Sequence, residues 1–311
     1  MKIIGRIALT LGLIVSALLY FFVVDGNLPR TSDFNPSLTE LRALANAPAE
    51  QRPVAIEMEV FASDQVPALG LQAGLDFADA TLVRSVFRLR SHWGDTLIDV
   101  GMDRYVAEAF ETGERFDNES LARIASAIRT ARRIVVTHEH PDHLGYLPRF
   151  PSLDAIAPNV RLTREQIEGT SQYMESGRVP EALAQLAPVP SHGYTVVAPG
   201  VVLVPSPGHT PGSVMYFVLM ADGREVLFIG DLVWSMSNVR DGAGRSRLVQ
   251  GVLMQTKEDR ELVYDQLRWL VTFVRQYPDI IVIPSHDGAH LRELATSGRI
   301  LDRFRTSLPD E

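Results

Sequence analysis

Within nine residues, THEHPDHLG (137–145), the chain places His138, His140, Asp142 and His143, side-chain types that bind borderline divalent cations. The whole sequence holds eight histidines, so three of them between positions 138 and 143 is a concentration that invites a chemical reading. Pro141 forbids a helix through the motif. Alternate residues of an extended segment face the same way, so His138 and His140 can share one cation. Asp142 and His143 lie past the proline bend and can face a second. Imidazole and carboxylate donors suit zinc, with iron or manganese as alternatives. The competing reading at this point is a solvated polar loop in which Asp142 caps a helix.

Other candidate donors occur where strands are expected to stop. The segments RRIVVT, GVVLVPSP, REVLFIG and DIIVIP read as strands, and His138, His209, Asp231 and His286 each lie just past the end of one. Loops that leave strand ends in layered α/β folds converge on one cleft. Upstream, VAIEMEV and LVRSVFRLR alternate apolar and polar residues, and DTLIDVG is an apolar run closed by a turn glycine. Two helices complete the pattern. One is expected around NESLARIASAIRTA, with Leu121, Ile124, Ala125 and Ile128 on one face. The other is ELVYDQLRWLVTFVRQ, with Val263, Leu267, Leu270 and Val274 aligned.

Composition bounds the rest. The chain has 311 residues, 46% hydrophobic and 22% charged, which is enough for an ordinary folded domain. Its formal net charge of −8 disfavours nucleic-acid binding through phosphate neutralisation. It contains no cysteine, which excludes disulfides, thiolate ligands and a cysteine nucleophile. Near the N-terminus an uncharged stretch runs from Ile7 to Val24, between Arg6 and Asp25. As a helix it would rise roughly 27 Å, close to a bilayer's hydrocarbon thickness. Lys2 and Arg6 precede it, so a single-pass anchor with the domain outside the cytoplasm is expected. Secretion after signal cleavage is the rival, but the nearest small-x-small site, Ala45-Asn46-Ala47, lies about twenty residues too late. The expected organisation is an anchor over 1–27, a linker over 28–53 with one short helical patch, and a catalytic domain over 54–311.

The ordered set THEHPDHLG, SPGHTPGS (206–213), FIGD (228–231) and PSHD (284–287), with TLIDVG (96–101) upstream, resembles the metallo-β-lactamase superfamily over about residues 54 to 290. The resemblance implies an α/β fold, an αββα sandwich with two divalent metal ions at one edge between the sheets. It assigns His138, His140 and His209 to one metal and Asp142, His143 and His286 to the other. Asp231 would bridge them, and Asp99 would orient a ligand from behind. Pro207, Gly208, Pro211 and Gly212 would fix the loop that presents His209, and Gly230 would let the chain turn before Asp231.

The implied activity is metal-dependent hydrolysis, in which a hydroxide shared by the cations attacks a carbonyl and Asp142 orients it or takes its proton. Asp231 argues against penicillin-type substrates, because β-lactamases of the superfamily generally lack an aspartate there. The helix and strand ending in SHD look most like the acyl-homoserine lactonase branch, so a small lactone or ester is the first expectation. Those lactonases carry a tyrosine three residues past the bridging aspartate, where this chain has Trp234. Trp234, Tyr146, His192 and Tyr194 are therefore the candidate pocket residues. Phosphodiester or thioester hydrolysis is the alternative of the same fold, with Arg240, Arg245 and Arg247 in NVRDGAGRSR as a cationic pocket. A metal-binding, non-enzymatic membrane-tethered domain is the alternative of another class.

Overall fold

The computed structural model describes residues 2–109, 116–253 and 258–307. Among these residues, ten strands form two five-stranded sheets. The first contains β1 (Ala55–Pro67), β2 (Asp79–Arg90), β3 (Thr96–Ile98), β4 (Arg133–Val135) and β5 (Val160–Arg161), side by side in chain order. The second contains β6 (Thr195–Ala198), β7 (Val201–Pro205), β8 (Val214–Leu219), β9 (Glu225–Gly230) and β10 (Ile281–Pro284), also in chain order. Most neighbours are antiparallel, but β3–β4, β4–β5 and β9–β10 run parallel.

The period-two alternation of each strand sorts its side chains between two layers. Val201, Leu203, Tyr216, Val218, Val226 and Phe228 face the first sheet, where they meet Ile56, Met58, Phe87, Leu89 and Ile98. Their neighbours Val202, Val204, Met215, Phe217, Leu227 and Ile229 face outward and pack under the helix Arg260–Gln276. Asp259 starts that helix by accepting the Glu261 and Leu262 N–H groups. On the far side of the first sheet, Ile124, Ala125, Ala127 and Ile128 of the helix Asn118–Thr130 cover Phe61, Val86, Leu97, Ile134 and Val136. Helix, sheet, sheet and helix make the expected αββα sandwich.

Two regions outside the sandwich pack onto it. The stretch 28–53, expected as a linker, contains the helix Leu38–Ala45, whose Leu38, Leu41 and Ala45 are buried against the outer face of the second sheet. The loop 238–247, read as a source of cations, is instead folded onto the domain. Its Arg245 is 2% exposed, and Tyr264 donates its hydroxyl proton to the Arg245 carbonyl at 2.6 Å. The N-terminal segment forms one helix, Ile3–Val24, that is long and apolar enough to cross a membrane and is unburied by the domain.

The strand ends gather as expected. β3 runs into Asp99, β4 into Thr137 and His138, β7 into the loop carrying His209, β9 into Asp231, and β10 into His286. Backbone bonds knit these ends within the first sheet, Asp99 N–H to the Val135 carbonyl at 2.9 Å, and across the two sheets, Val214 N–H to the Thr137 carbonyl at 2.8 Å. The chain turns into Asp231 through Gly230, whose φ of +51° lies in the left-handed region. A side chain there would also press on the Thr137 Cβ at 3.0 Å.

Candidate metal centre

His138 and His140 leave β4 facing one way, while Glu139 between them points back into the fold. Its carboxylate accepts the Gly212 N–H at 3.0 Å and the Thr210 hydroxyl at 2.7 Å, tying the His138 loop to the His209 loop. Past Pro141, a single helical turn, Pro141–Leu144, turns Asp142 and His143 toward the second sheet. Two groups of potential donors result: His138, His140, His209 and Asp231, and then Asp142, His143 and His286. Within each group the donor atoms lie within 4.8 Å of one another.

In the first group, His138 Nε2 and His209 Nε2 each lie 3.0 Å from His140 Nδ1. In the second, the Nε2 atoms of His143 and His286 are 3.2 Å apart. Asp142 reaches these two nitrogens at 3.7 and 3.6 Å. Asp231 stands between the groups. Its Oδ2 is 3.7 Å from His138 Nε2 and 3.4 Å from His209 Nε2, while its Oδ1 is 3.4 Å from His143 Nε2 and 3.0 Å from His286 Nε2.

The outer nitrogens decide what the inner ones can offer. His286 Nδ1 faces the Val83 carbonyl at 2.5 Å, which can only accept, so this nitrogen carries the proton. His143 Nδ1 donates to Asp99 Oδ2 at 2.9 Å and His209 Nδ1 donates to Glu258 Oε2 at 3.0 Å. The Thr137 hydroxyl lies 3.0 Å from both Asp99 oxygens and 3.1 Å from His138 Nδ1. It donates to the carboxylate and so accepts from that histidine. Four imidazoles thus have their outer nitrogens engaged and turn Nε2 toward Asp231, whose Oδ1 is buried with no hydrogen-bond partner. Convergent imidazole nitrogens around a carboxylate oxygen left without a partner, each imidazole held from behind, are a donor set that fits divalent cations in chemistry, with metal displacing any proton on Nε2.

Charge within the cluster follows the same packing. Burial penalises the Asp231 carboxylate, but His286, His143 and His138 around it hold its pKa well below the usual carboxylate range. Burial likewise opposes a proton on His143, yet Asp142, Asp231 and Asp99 outweigh it and push its pKa up to about 10. His140, desolvated and beside His209, is lowered to about 3.

Of the remaining sequence candidates, Trp234 joins the cluster. Its indole N–H donates to Asp231 Oδ2 at 2.8 Å, and its ring centroid lies 6.3 Å from those of His209 and His286. The indole is therefore committed to the carboxylate rather than held ready for a substrate carbonyl. Asp99 sits fully buried behind His143 and Thr137. Tyr146, Tyr194 and His192 lie outside the cluster. Tyr146 is half-buried against Phe150 on the helical side of the first sheet. The Tyr194 hydroxyl accepts the Ser37 N–H at 2.8 Å on the outer side of the second sheet, and His192 is exposed before β6. The arginines are likewise engaged. Arg245 donates to Glu258 at 2.6 Å, Arg247 to Asp25 at 2.5 Å and Arg240 to Asp241 at 2.9 Å.

Sequence reasoning missed Glu258, whose side chain is fully buried between His209 and Arg245. Burial raises its pKa, but Arg245 and His209 prevail and hold it far below normal. It also missed Arg84, whose Nε is 3.6 Å from Asp142 Oδ2 while its Nη1 binds Asp64 at 2.5 Å. Glu258 precedes the cap of an amphipathic helix and had no signal beyond that. Arg84 sits in an alternating strand, where charge on one face is ordinary.

Among curated proteins none matches the chain. Solved structures resemble it at low identity. A quorum-quenching N-acyl homoserine lactone lactonase is 18% identical, with a TM-score of 0.58, over 82% of this chain and 100% of that one. An N-acyl homoserine lactone hydrolase with N-hexanoyl-L-homoserine at its catalytic metal centre is 17% identical, with a TM-score of 0.57, over 80% and 98%. A B. thuringiensis AiiA mutant with N-decanoyl-L-homoserine at its active site is 18% identical, with a TM-score of 0.57, over 80% and 98%. These likenesses establish the fold. The sequence model of the metallo-beta-lactamase superfamily matches residues 75–286, which span every residue of both donor groups. The chain belongs to the metallo-beta-lactamase superfamily.

Proposed function

We propose that this protein is a binuclear metal-dependent hydrolase of a small carbonyl substrate, a lactone or ester, tethered to a membrane by its N-terminal helix. The observation that carries the reading is the convergence of four outward-anchored imidazoles on one unsatisfied carboxylate, Asp231. His138, His140 and His209 would hold one ion, and Asp142, His143 and His286 the second, with Asp231 shared. Nitrogen and oxygen donors without sulfur favour Zn2+, with iron or manganese as alternatives. When bound, such a pair supplies Lewis acidity and an activated water nucleophile.

The chain's own residues would do the rest. Asp99, Glu258, Thr137 and the Val83 carbonyl fix the imidazole tautomers, and Trp234 holds the Asp231 carboxylate in place. Asp142 and His140 are the donors not fully buried, and Asp142 keeps 18% of its side chain exposed. Burial raises its pKa, but His143, His286 and Arg84 hold it ionised, so it would orient the attacking water as an acceptor or take its proton. Carbonyl substrates are preferred to phosphodiesters because Arg240, Arg245 and Arg247 are each spent on a carboxylate. The formal charge of −8 adds no support for nucleic acid as a partner. The N-terminal helix would leave Lys2 in the cytoplasm and the catalytic domain outside it, with secretion after cleavage as the alternative.

The test is turnover by the full chain, zinc-loaded in detergent, on acyl-lactones, aryl esters, a thioester, a cephalosporin and a phosphodiester. Lactone or ester cleavage is expected, and Asp231→Ala should abolish it while the circular dichroism spectrum stays unchanged. Near-normal turnover by Asp231→Ala would overturn the two-metal assignment. Selective phosphodiester cleavage would overturn the carbonyl preference.

A further inference from the structure

The N-terminal helix ends in a π turn, Tyr20–Val24, and meets the domain without a free tether. The Val23 carbonyl accepts the Gly74 N–H at 3.0 Å, and the Gly244 carbonyl accepts the Ala73 N–H at 2.8 Å. Gly244 N–H in turn donates to the Gly26 carbonyl at 2.9 Å. Arg247 donates to the Phe21 carbonyl at 3.0 Å, and its guanidinium lies 4.0 Å from the Phe21 ring centroid. Arg260 donates to the Asp25 carbonyl at 2.8 Å. The loop joining β1 to β2 is thus bonded to the last turn of the apolar helix.

That bond sets the loop's depth. The candidate span, Ile3–Val24, has 22 residues. It would rise roughly 33 Å against a hydrocarbon core of about 30 Å, which puts Val23 at the boundary with the headgroups. The headgroup region on each side is about 5–8 Å deep. Phe77 follows Gly74 by three residues, so its Cα lies within roughly 11 Å of it. Here the chain exposes Leu75 at 53% and Phe77 at 70%, the latter the most exposed large hydrophobic beyond the N-terminal helix among the described residues. Single exposed hydrophobics are ordinary, but two on one loop, within roughly 11 Å of that boundary, have an apolar phase in reach. Residues 68–80 contain no lysine or arginine, and Asp76 and Asp79 are exposed. Adhesion there would be apolar rather than directed at anionic headgroups.

We propose that residues 71–78 form a second membrane contact, with Leu75 and Phe77 inserted into the interface of the bilayer that the N-terminal helix crosses. The inference rests on reading that helix as membrane-spanning. It fixes the domain's orientation and sets beside the membrane a cleft of about 490 Å³. The cleft is lined by Leu71 and Gln72 on the loop side, and by Met236 and Asp287, close behind Trp234 and His286.

The chain contains no cysteine, so Leu13→Cys, Asp76→Cys and Asp222→Cys each give one nitroxide-labelling site in the full-length protein. In phosphatidylcholine vesicles, relaxation by oxygen reports the bilayer and relaxation by a nickel chelate reports water. We expect labels at 13 and 76 to respond to oxygen and the label at 222, in the turn between β8 and β9, to respond to nickel. Adding Leu75→Ser and Phe77→Ser should move the label at 76 into water. A label at 76 that is aqueous in the parent, or indifferent to the serines, overturns the proposal while a lipid-buried label at 13 leaves the anchor standing. An aqueous label at 13 overturns both.

Discussion

The indole N–H of Trp234 donates to Asp231 Oδ2 at 2.8 Å, and the Arg245 guanidinium stacks 4.7 Å from the same indole. A residue expected in the substrate pocket is therefore a positioning residue for the carboxylate between the two donor groups. Trp234→Phe keeps an aromatic ring beside Arg245 but removes the N–H donor along with part of the indole's volume. Zinc affinity should fall about 10–100-fold, the usual consequence of removing an outer partner of a metal ligand. Titration against a competing chelator measures it. Unchanged affinity would mean that the hydrogen bond does not orient Asp231.

Glu258 joins two buried partners, accepting from His209 Nδ1 at 3.0 Å and from Arg245 at 2.6 Å. Glu258→Ala leaves a fully buried guanidinium without its counter-ion, a change that costs about 3–5 kcal/mol. Glu258→Gln preserves an acceptor and should lose less stability but still loosen the His209 tautomer. The ordering of wild type, Gln and Ala in urea midpoints checks the first point. Zinc affinity of the Gln form, expected below wild type, checks the second.

Protons and metal compete for the same imidazoles. Burial opposes charge on His143 and His209, but in metal-free protein the neighbouring carboxylates win and raise both pKa values, that of His143 to about 10. A raised folded pKa makes the proton-bound form stabilising. His143's contribution is complete below the unfolded value of about 6.5 and is lost as pH climbs through about 10. Metal affinity moves oppositely, rising with pH over that window as protons become easier to displace. At pH 8, zinc uptake should release about one proton or more per chain. Calorimetry in two buffers of different ionisation enthalpy measures this directly, and equal heats would refute it.

What the sequence disclosed and what it hid divide along chain distance. His138, His140, Asp142 and His143 lie within six positions, and His209, Asp231 and His286 follow strand ends, so local pattern and the ordered resemblance brought them forward. The His209–Glu258 pair spans 49 residues and is made only by folding, so no spacing rule marks it. The helix Leu38–Ala45 has the right apolar spacing but only eight residues. A helix that short is marginal in isolation and forms because the second sheet offers it a surface. Loop 238–247 has the composition of a flexible segment, yet Gly244 lies so close to the Tyr264 ring that a methyl group would overlap it. Gly244 serves close packing and Gly242 the left-handed end of a helix, which composition cannot distinguish from mobility.

Asp99 is the one non-glycine residue with positive φ, +67°, among the described residues, and it is fully buried. Its carboxylate accepts the Thr137 N–H at 2.7 Å, the Thr137 hydroxyl at 3.0 Å and His143 Nδ1–H at 2.9 Å. Left-handed backbone costs most residues about 1–2 kcal/mol, whereas Gly, Asn and Asp tolerate it. Asp99→Gly and Asp99→Ala remove the same three bonds, so Ala should be the less stable by about 1 kcal/mol, the backbone share alone. Asp99→Asn suits the backbone but offers His143 only one acceptor oxygen, already claimed by Thr137, and turns an N–H group toward the imidazole's own donor. If His143 belongs to the second metal, zinc retained after dialysis should fall from about two per chain to about one, because only that group loses its anchored tautomer. Elemental analysis of the folded Asn variant gives the count. Full retention of two ions would show that Asp99 is held in its strained conformation for the fold rather than for the metal.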